Sequence, residues 1–274
     1  MPEDTQVPVL RFEDVTVVFD NVKALDSVSF ELVGGESRII LGAAGSGKTV
    51  LLKTALGLVR PESGRVTAFG RDITTMSERD LYGVRSRIGM LFQESALFDS
   101  LTIEENVAYP LENQPSIRCP ADEVHQRVVQ ALEFVELGGT LEKYPSELSG
   151  GMRRRAAIAR AVVTEPALTL YDSPTAGLDP ITAYTIIALV IKERDQNQTS
   201  ALMVTHRYQD GNLLANFRYN SEQGRLEPAR NGANHKARTT FMVLQDGRLI
   251  FEGDQDRLES SSNPYILKFV KQRN

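Results

Sequence analysis

Gly42-Ala43-Ala44-Gly45-Ser46-Gly47-Lys48-Thr49 decides how the rest of the chain is read. Three glycines let the backbone turn so that its N–H groups converge on one point, where they can meet phosphate oxygens. The run before it, residues 38–41, reads as a buried strand, and residues 50–59 are apolar enough for a buried helix. Pro61 lies just beyond that helix. Strand, glycine turn and helix are the context this motif requires. The helix adds its positive N-terminal end. Lys48 can reach the β- and γ-phosphates, and the Thr49 hydroxyl can ligate Mg²⁺. ATP binding is the expectation.

Before the loop, two short β-like runs lie at 9–12 and 15–19, a third at 28–32, and Gly34-Gly35 makes a turn. After it, residues 81–164 are helical in character. Residues 121–137 carry Val124, Val128, Ala131, Leu132 and Val135 on one face, with Pro120 at the start. Residues 167–171 and 201–205 are two more buried strands, and Asp179-Pro180 caps a helix running to about 194. Strands alternating with helices predict an α/β fold with a mostly parallel sheet covered on both faces. Residues 212–240, rich in Asn, Gly and Arg, read as a long polar loop inserted in the domain. Residues 241–244 and 248–251, joined by Gln245-Asp246-Gly247, read as a hairpin. Residues 254–274 read as a C-terminal tail.

Bulk composition narrows the function. The 274 residues suit one domain with a lobe inserted in it. Hydrophobic residues at 41% and charged residues at 24% are an ordinary globular balance. The net charge of −5 gives no basic excess for nucleic acid. One cysteine, Cys119, allows no internal disulfide and argues against structural zinc. Met1-Pro2-Glu3-Asp4 is not the start of a secretion signal. No apolar run approaches the roughly 20 residues of a spanning helix. The expectation is a chain soluble by itself, held at any membrane by another chain.

Two further segments carry chemistry. Asp172 ends the apolar run 167–171, and beside a phosphate site such a carboxylate holds Mg²⁺ directly or through water. Alone it would read as a loop residue or a helix cap. Leu148-Ser149-Gly150-Gly151-Met152 opens a helical run and forms another anion-binding terminus, or an ordinary serine cap with a glycine turn. Arg153, Arg154 and Arg155 behind it read as a solvated helix face.

Gly42–Thr49, Gln93, Leu148–Met152, Tyr171–Pro180 and His206 stand in the order seen in ATP-binding subunits of ABC transporters, which the chain resembles from about residue 9 to 253. It is similar, more closely, to the ATPase of MCE-type lipid transporters, the Mla group. That likeness rests on Met152 where most of the family has Gln, on Leu91-Phe92-Gln93-Glu94-Ser95-Ala96-Leu97-Phe98, and on Glu105-Asn106-Val107-Ala108-Tyr109-Pro110-Leu111. The resemblance implies a P-loop NTPase fold: a RecA-like parallel-sheet core, an N-terminal antiparallel β subdomain and an inserted α-helical subdomain at about 85–164. It implies ATP on residues Gly42 through Val50 and Mg²⁺ on Thr49, Gln93 and Asp172. It makes Phe19 the aromatic stacked on adenine, although a core-facing strand residue is the alternative. His206 becomes the contact to the γ-phosphate. It also implies a homodimer in which Ser149, Gly150, Gly151 and Asp179 of one copy face the nucleotide of the other. A membrane permease would dock near Ala96 through Leu111, an MCE-domain protein would share the assembly, and the chain would sit on the cytoplasmic face of the inner membrane.

One position departs from the pattern. The family has Glu directly after the strand-end Asp, as the base that orients water, and here it is Ser173. Serine cannot accept the proton as a carboxylate can, and general-base help is worth roughly 10²–10⁴-fold. Three functions follow. The first is an ATPase subunit that drives transport, of phospholipid by resemblance. The second is an ATP-gated clamp with little hydrolysis. The third is a soluble ABC ATPase outside transport, which the single motif set and the absence of a long heptad run disfavour.

Overall fold

The computed structural model describes residues 7–229 and 239–271. Alternating apolar residues at the start form an antiparallel pair, β1 (Leu10–Phe19) and β2 (Val22–Leu32). The runs read at 9–12 and 15–19 belong to one strand. Asp14, at φ 49°, sits in a register shift between Phe12 and Val15, and that bulge breaks the sequence rhythm. β3 (Ser37–Leu41) leads through the glycine loop into α1 (Lys48–Ala55). β4 (Ser63–Ala68) and β5 (Arg71–Asp72) complete a four-stranded antiparallel sheet in the order β2-β1-β4-β5.

α2 (Glu78–Arg85), β6 (Ile88–Leu91), α3 (Ile103–Asn113), α4 (Ala121–Phe134) and α5 (Gly150–Val162) follow. β6 corrects the expectation that all of 85–164 is helical: it pairs parallel with β7 (Leu168–Asp172) at the edge of the central sheet. Four residues, one of them glycine, are too few for periodicity to reveal a strand. After α6 (Pro180–Asn197) and β8 (Ser200–Thr205), α7 (Tyr208–Asn216), β9 (Phe217–Asn220) and β10 (Arg225–Pro228) occupy the first part of the stretch read as a polar loop. Its order comes from α6 together with its own apolar residues, Leu214 buried and Phe217, Tyr219 and Leu226 packed on the core. Arg194 donates to the Leu214 and Phe217 carbonyls, and Asp195 Oδ2 accepts the Tyr219 N–H. Residues 230–238 of the expected loop lie outside the described residues. β11 (Thr239–Gln245) and β12 (Arg248–Gly253) form the expected hairpin. The expected tail folds, as far as it is described, into α8 (Gln255–Glu259) and α9 (Pro264–Val270), with Ile266, Phe269 and Val270 buried.

The central sheet runs β12-β11-β3-β8-β7-β6, parallel throughout except for β12. Period-two alternation divides the core. Ile39, Leu41, Tyr171 and Met203 pack toward α5 and α6, while Ile40, Leu170, Leu202 and Val204 pack toward α1 and the antiparallel sheet. The pairs Leu41 with Thr205 and Asp172 with Val204 bring the C-terminal ends of β3, β7 and β8 level. The loops after those strands therefore open on one crevice, where open α/β sheets bind ligands.

Candidate nucleotide site

β3 ends in the glycine loop, where Gly45 (φ 77°) and Gly47 (φ 103°) take left-handed backbone conformations. A Cβ on Gly47 would lie 2.3 Å from the Ala24 carbonyl, and one on Gly42 would lie 2.7 Å from the Leu244 carbonyl. Neighbouring strands thus press on the loop from both sides, and only hydrogen fits. Gly47 starts α1 with no side-chain cap, so the first-turn N–H groups are left for a ligand. Lys48 lies along the loop, its Nζ donating to Gly42 O at 2.8 Å and Ala43 O at 2.7 Å. Burial lowers its pKa, and the Asp172 charge opposes that shift. Thr49 Oγ1 donates to Asp172 Oδ2 at 2.8 Å, and Ser173 Oγ donates to Asp172 Oδ1 at 3.2 Å.

A cavity of about 730 Å³ opens over this loop. Ala43, Ala44, Gly45, Gly47, Lys48, Thr49 and Val50 form its floor. Gln93 after β6, Ser173 after β7 and His206 after β8 form a wall. Gly42 and Ser46 are buried beneath and shape the floor. Asp172, also buried, reaches the site through Thr49. Phe19 does not line the cavity; it stands 47% exposed at the end of β1. Residues the sequence reading left out do line it: Ala24, Tyr265, Lys268 and Phe269. Tyr265 OH accepts the Ala43 N–H at 3.0 Å and donates to Leu244 O at 3.4 Å. The available signal was the aromatic and basic spacing of Tyr265, Lys268 and Phe269 on a helix begun by Pro264.

The wall is held from behind. Asp210, 2% exposed, accepts Thr175 Oγ1 at 2.6 Å and Thr205 Oγ1 at 2.8 Å on one oxygen. It ties the segment after Ser173 to the residue before His206. Burial raises the Asp210 pKa, and the two threonine hydroxyls work against that shift.

Ser149, Gly150, Gly151 and Asp179 do not reach this cavity. They gather on another surface. Ser149 Oγ accepts the Met152 N–H at 3.2 Å, and Asp179 Oδ1 accepts the Ile181 and Thr182 N–H groups at 3.0 Å each. A Cβ on Gly151 would come within 2.6 Å of Thr182, so the two helix starts touch. Of the three arginines behind Gly151 read from sequence as a solvated face, Arg153 is exposed, Arg155 half-buried and Arg154 turned inward. Arg153 donates to Leu148 O at 2.6 Å and Arg155 to Val135 O at 3.1 Å, while Arg154 is only 6% exposed. The helix is packed on both flanks, and carbonyls at loop ends take up the guanidinium donors.

The residues present fit the groups expected there. The Thr49 hydroxyl, Asp172 carboxylate and Gln93 amide are hard oxygen donors of the kind Mg²⁺ selects. The floor, with its backbone glycines and uncapped helix start, suits a polyphosphate. A model of the ABC transporter family matches residues 25–176, which contain the glycine loop, Gln93, Leu148–Met152 and Asp172. The chain belongs to the ABC transporter family. Over 246 residues this cassette is 33% identical to the intermembrane phospholipid transport system ATP-binding protein MlaF of Haemophilus influenzae, covering 90% of this chain and 84% of that one. Over 197 residues it is 37% identical to a probable ribonucleotide transport ATP-binding protein, mkl, of Mycobacterium leprae. That match covers 72% of this chain and spans 56% of the relative's length. Among solved structures, a dimeric ATP-binding cassette in a post-hydrolysis state with ADP and Pi is 27% identical at a TM-score of 0.74, covering 89% of this chain and 98% of that one. The fold expected from the resemblance, parallel core and antiparallel sheet together, is the fold observed.

Proposed function

We propose that this cassette binds Mg·ATP on residues 42–50, and that two copies close on two nucleotides to drive a membrane permease that moves phospholipid. The observation that carries the reading is one cavity gathering Lys48, Thr49, Gln93, Ser173 and His206 from four separate loops. Lys48 exchanges its two carbonyl partners for β- and γ-phosphate oxygens. Thr49 and Asp172 hold Mg²⁺, with Gln93 as a further donor. Mg²⁺ bound there neutralises charge on the phosphoryl oxygens. His206 faces the γ-phosphate end. A second copy closes the site with its own Ser149, Gly150, Gly151 and Asp179, and exposed Ile181 and Tyr184 beside Asp179 supply apolar contact area.

Phospholipid as cargo is supported by the name of the Haemophilus relative. Exposed Phe98 and Tyr109, 4.7 Å apart between ring centroids, lie in Ala96 through Leu111, where the permease docks. An MCE-domain protein belongs to the same assembly, and the permease holds the cassette on the cytoplasmic face of the inner membrane. Among the described residues no helix is long and apolar enough to cross a membrane.

A second reading, an ATP-gated clamp with slow hydrolysis, is favoured by Ser173. Among the described residues, none lining the cavity carries a carboxylate, and His206 is left as the candidate general base. Binding is the common element of both readings. Equilibrium titration with a fluorescent ATP analogue and Mg²⁺ tests it. Lys48→Ala is expected to weaken affinity roughly 100-fold, the worth of one charge-assisted phosphate contact. Affinity retained in Lys48→Ala overturns the proposal.

A further inference from the structure

Arg154 leaves α5 into the interior between two functional loops. Its Nη1 donates to Phe92 O at 3.0 Å and its Nη2 to Ala176 O at 3.5 Å. Phe92 immediately precedes Gln93, and Ala176 lies between Ser173 and Asp179. One guanidinium therefore joins the helix begun by Ser149 to both loops. Desolvating a guanidinium is costly, and an apolar side chain would fill the space more cheaply if filling were all that was needed. Its Nε is buried with no hydrogen-bond partner among the described residues. A spare donor suits a fork that changes acceptors as the loops move. Arg160, farther along α5, donates to Ala96 O at 2.7 Å and Ser95 O at 2.9 Å, on the far side of Gln93. Ser95 (φ 67°) and Ala96 (φ 49°) are both left-handed there. α5 thus grips the Gln93 segment on both flanks, and through Arg154 it also grips the Ser173–Asp179 segment.

We propose that Arg154 is a positioning residue that makes the Leu148–Gly151 end of α5, the Gln93 loop and the Ser173–Asp179 segment move as one unit. A second subunit engaging the start of α5 then sets Gln93 and Ser173 against the nucleotide held on the floor. This rests on the nucleotide reading above. It predicts a separation of effects: the floor binds independently of Arg154, and closure and turnover depend on it.

Arg154→Lys keeps the charge but offers one point instead of a fork. Arg154→Met fills the space with no donor. Three measurements apply to each purified variant: ATP affinity without Mg²⁺, ATP-driven dimerisation with turnover, and thermal unfolding. Both variants are expected to keep Mg²⁺-free affinity within about twofold, because the loop holding the phosphates is untouched. Dimerisation and turnover are expected to fall roughly tenfold in Met and less in Lys, the worth of one charged hydrogen bond. The proposal is overturned if Lys and Met both dimerise and turn over as wild type does. It is equally overturned if affinity falls in step with turnover. Should Met fail to fold, Lys decides by the same criteria, and where turnover is slow, dimerisation decides. Wild-type protein that does not bind ATP would sink the proposed function instead, a result distinct from either.

Discussion

The floor of the cavity is a run of consecutive residues on one loop, whereas its wall takes Gln93, Ser173 and His206 from three loops. The floor is shaped by backbone: glycines at positive φ, close carbonyls and an uncapped helix start. The wall is shaped by side chains outside the cavity, with Arg154 and Arg160 behind Gln93 and Asp210 behind Ser173 and His206. The floor therefore tolerates little change, because its chemistry is its conformation. The wall can exchange a reactive group while its supports hold the frame. Ser173, at the position where the resemblance puts a glutamate, is held in the wall by its N–H donating to Val204 O at 2.8 Å. Binding and hydrolysis can thus diverge in one cassette.

The sharpest way to break this contrast is Ser173→Glu. Restoring a carboxylate in an intact wall is expected to raise steady-state phosphate release by up to roughly 10²–10⁴-fold, the usual range of general-base help. Unchanged release would mean that the wall already contains a working base, with His206 the first candidate. Gly47→Ala tests the floor. With φ at 103° and a carbonyl 2.3 Å from the new Cβ, the loop must shift. A loss of about 2–3 kcal/mol in urea unfolding is expected, together with loss of nucleotide binding. A variant that unfolds and binds like wild type would show that the floor is not conformationally fixed.

The smallest effect concerns the support of the wall. Burial raises the Asp210 pKa above its ordinary 3.8. In the window above 3.8 the native state holds a proton that the unfolded chain has released, so stability rises as pH falls through that window. This contribution is complete below 3.8 and is lost as pH climbs through the raised native value. Thermal unfolding of wild type and Asp210→Asn across that range should show wild type gaining on the variant with acidification. Parallel curves would remove Asp210 as a desolvated support.

Long, strongly patterned elements were readable in advance. β3, β7 and β8 are buried at every position and mostly apolar because both faces of a parallel sheet are covered, and α4 shows its stripe because one face is packed. β6 was hidden by its length, and β9 and β10 by their polarity. Their order comes from partners, β7 for the first and Arg194 with Asp195 for the hairpin. The same division runs through the site. Gly42–Thr49 announces its chemistry because the spacing of glycines is the conformation. Arg154 looked like one of three surface charges, since nothing in Arg153-Arg154-Arg155 says which one points inward. Tyr265 reads in sequence as part of a tail until the packing of α9 places it at the cavity, and Phe19, exposed at the end of β1, is not the core-facing strand residue that was the alternative to an adenine contact.

By itself the sequence determined the phosphate loop, the main buried strands and the long helices, the family, and the serine where the resemblance puts a glutamate. Each is a local pattern, fixed by residue type and spacing along the chain. Only the tertiary structure decided which side chains stand around the loop and which hold them there. Level strand ends bring Asp172, Thr205 and Leu41 together across more than a hundred residues, and a buried guanidinium meets carbonyls from two distant loops. Those contacts are set by packing between separated segments, and no local pattern encodes them.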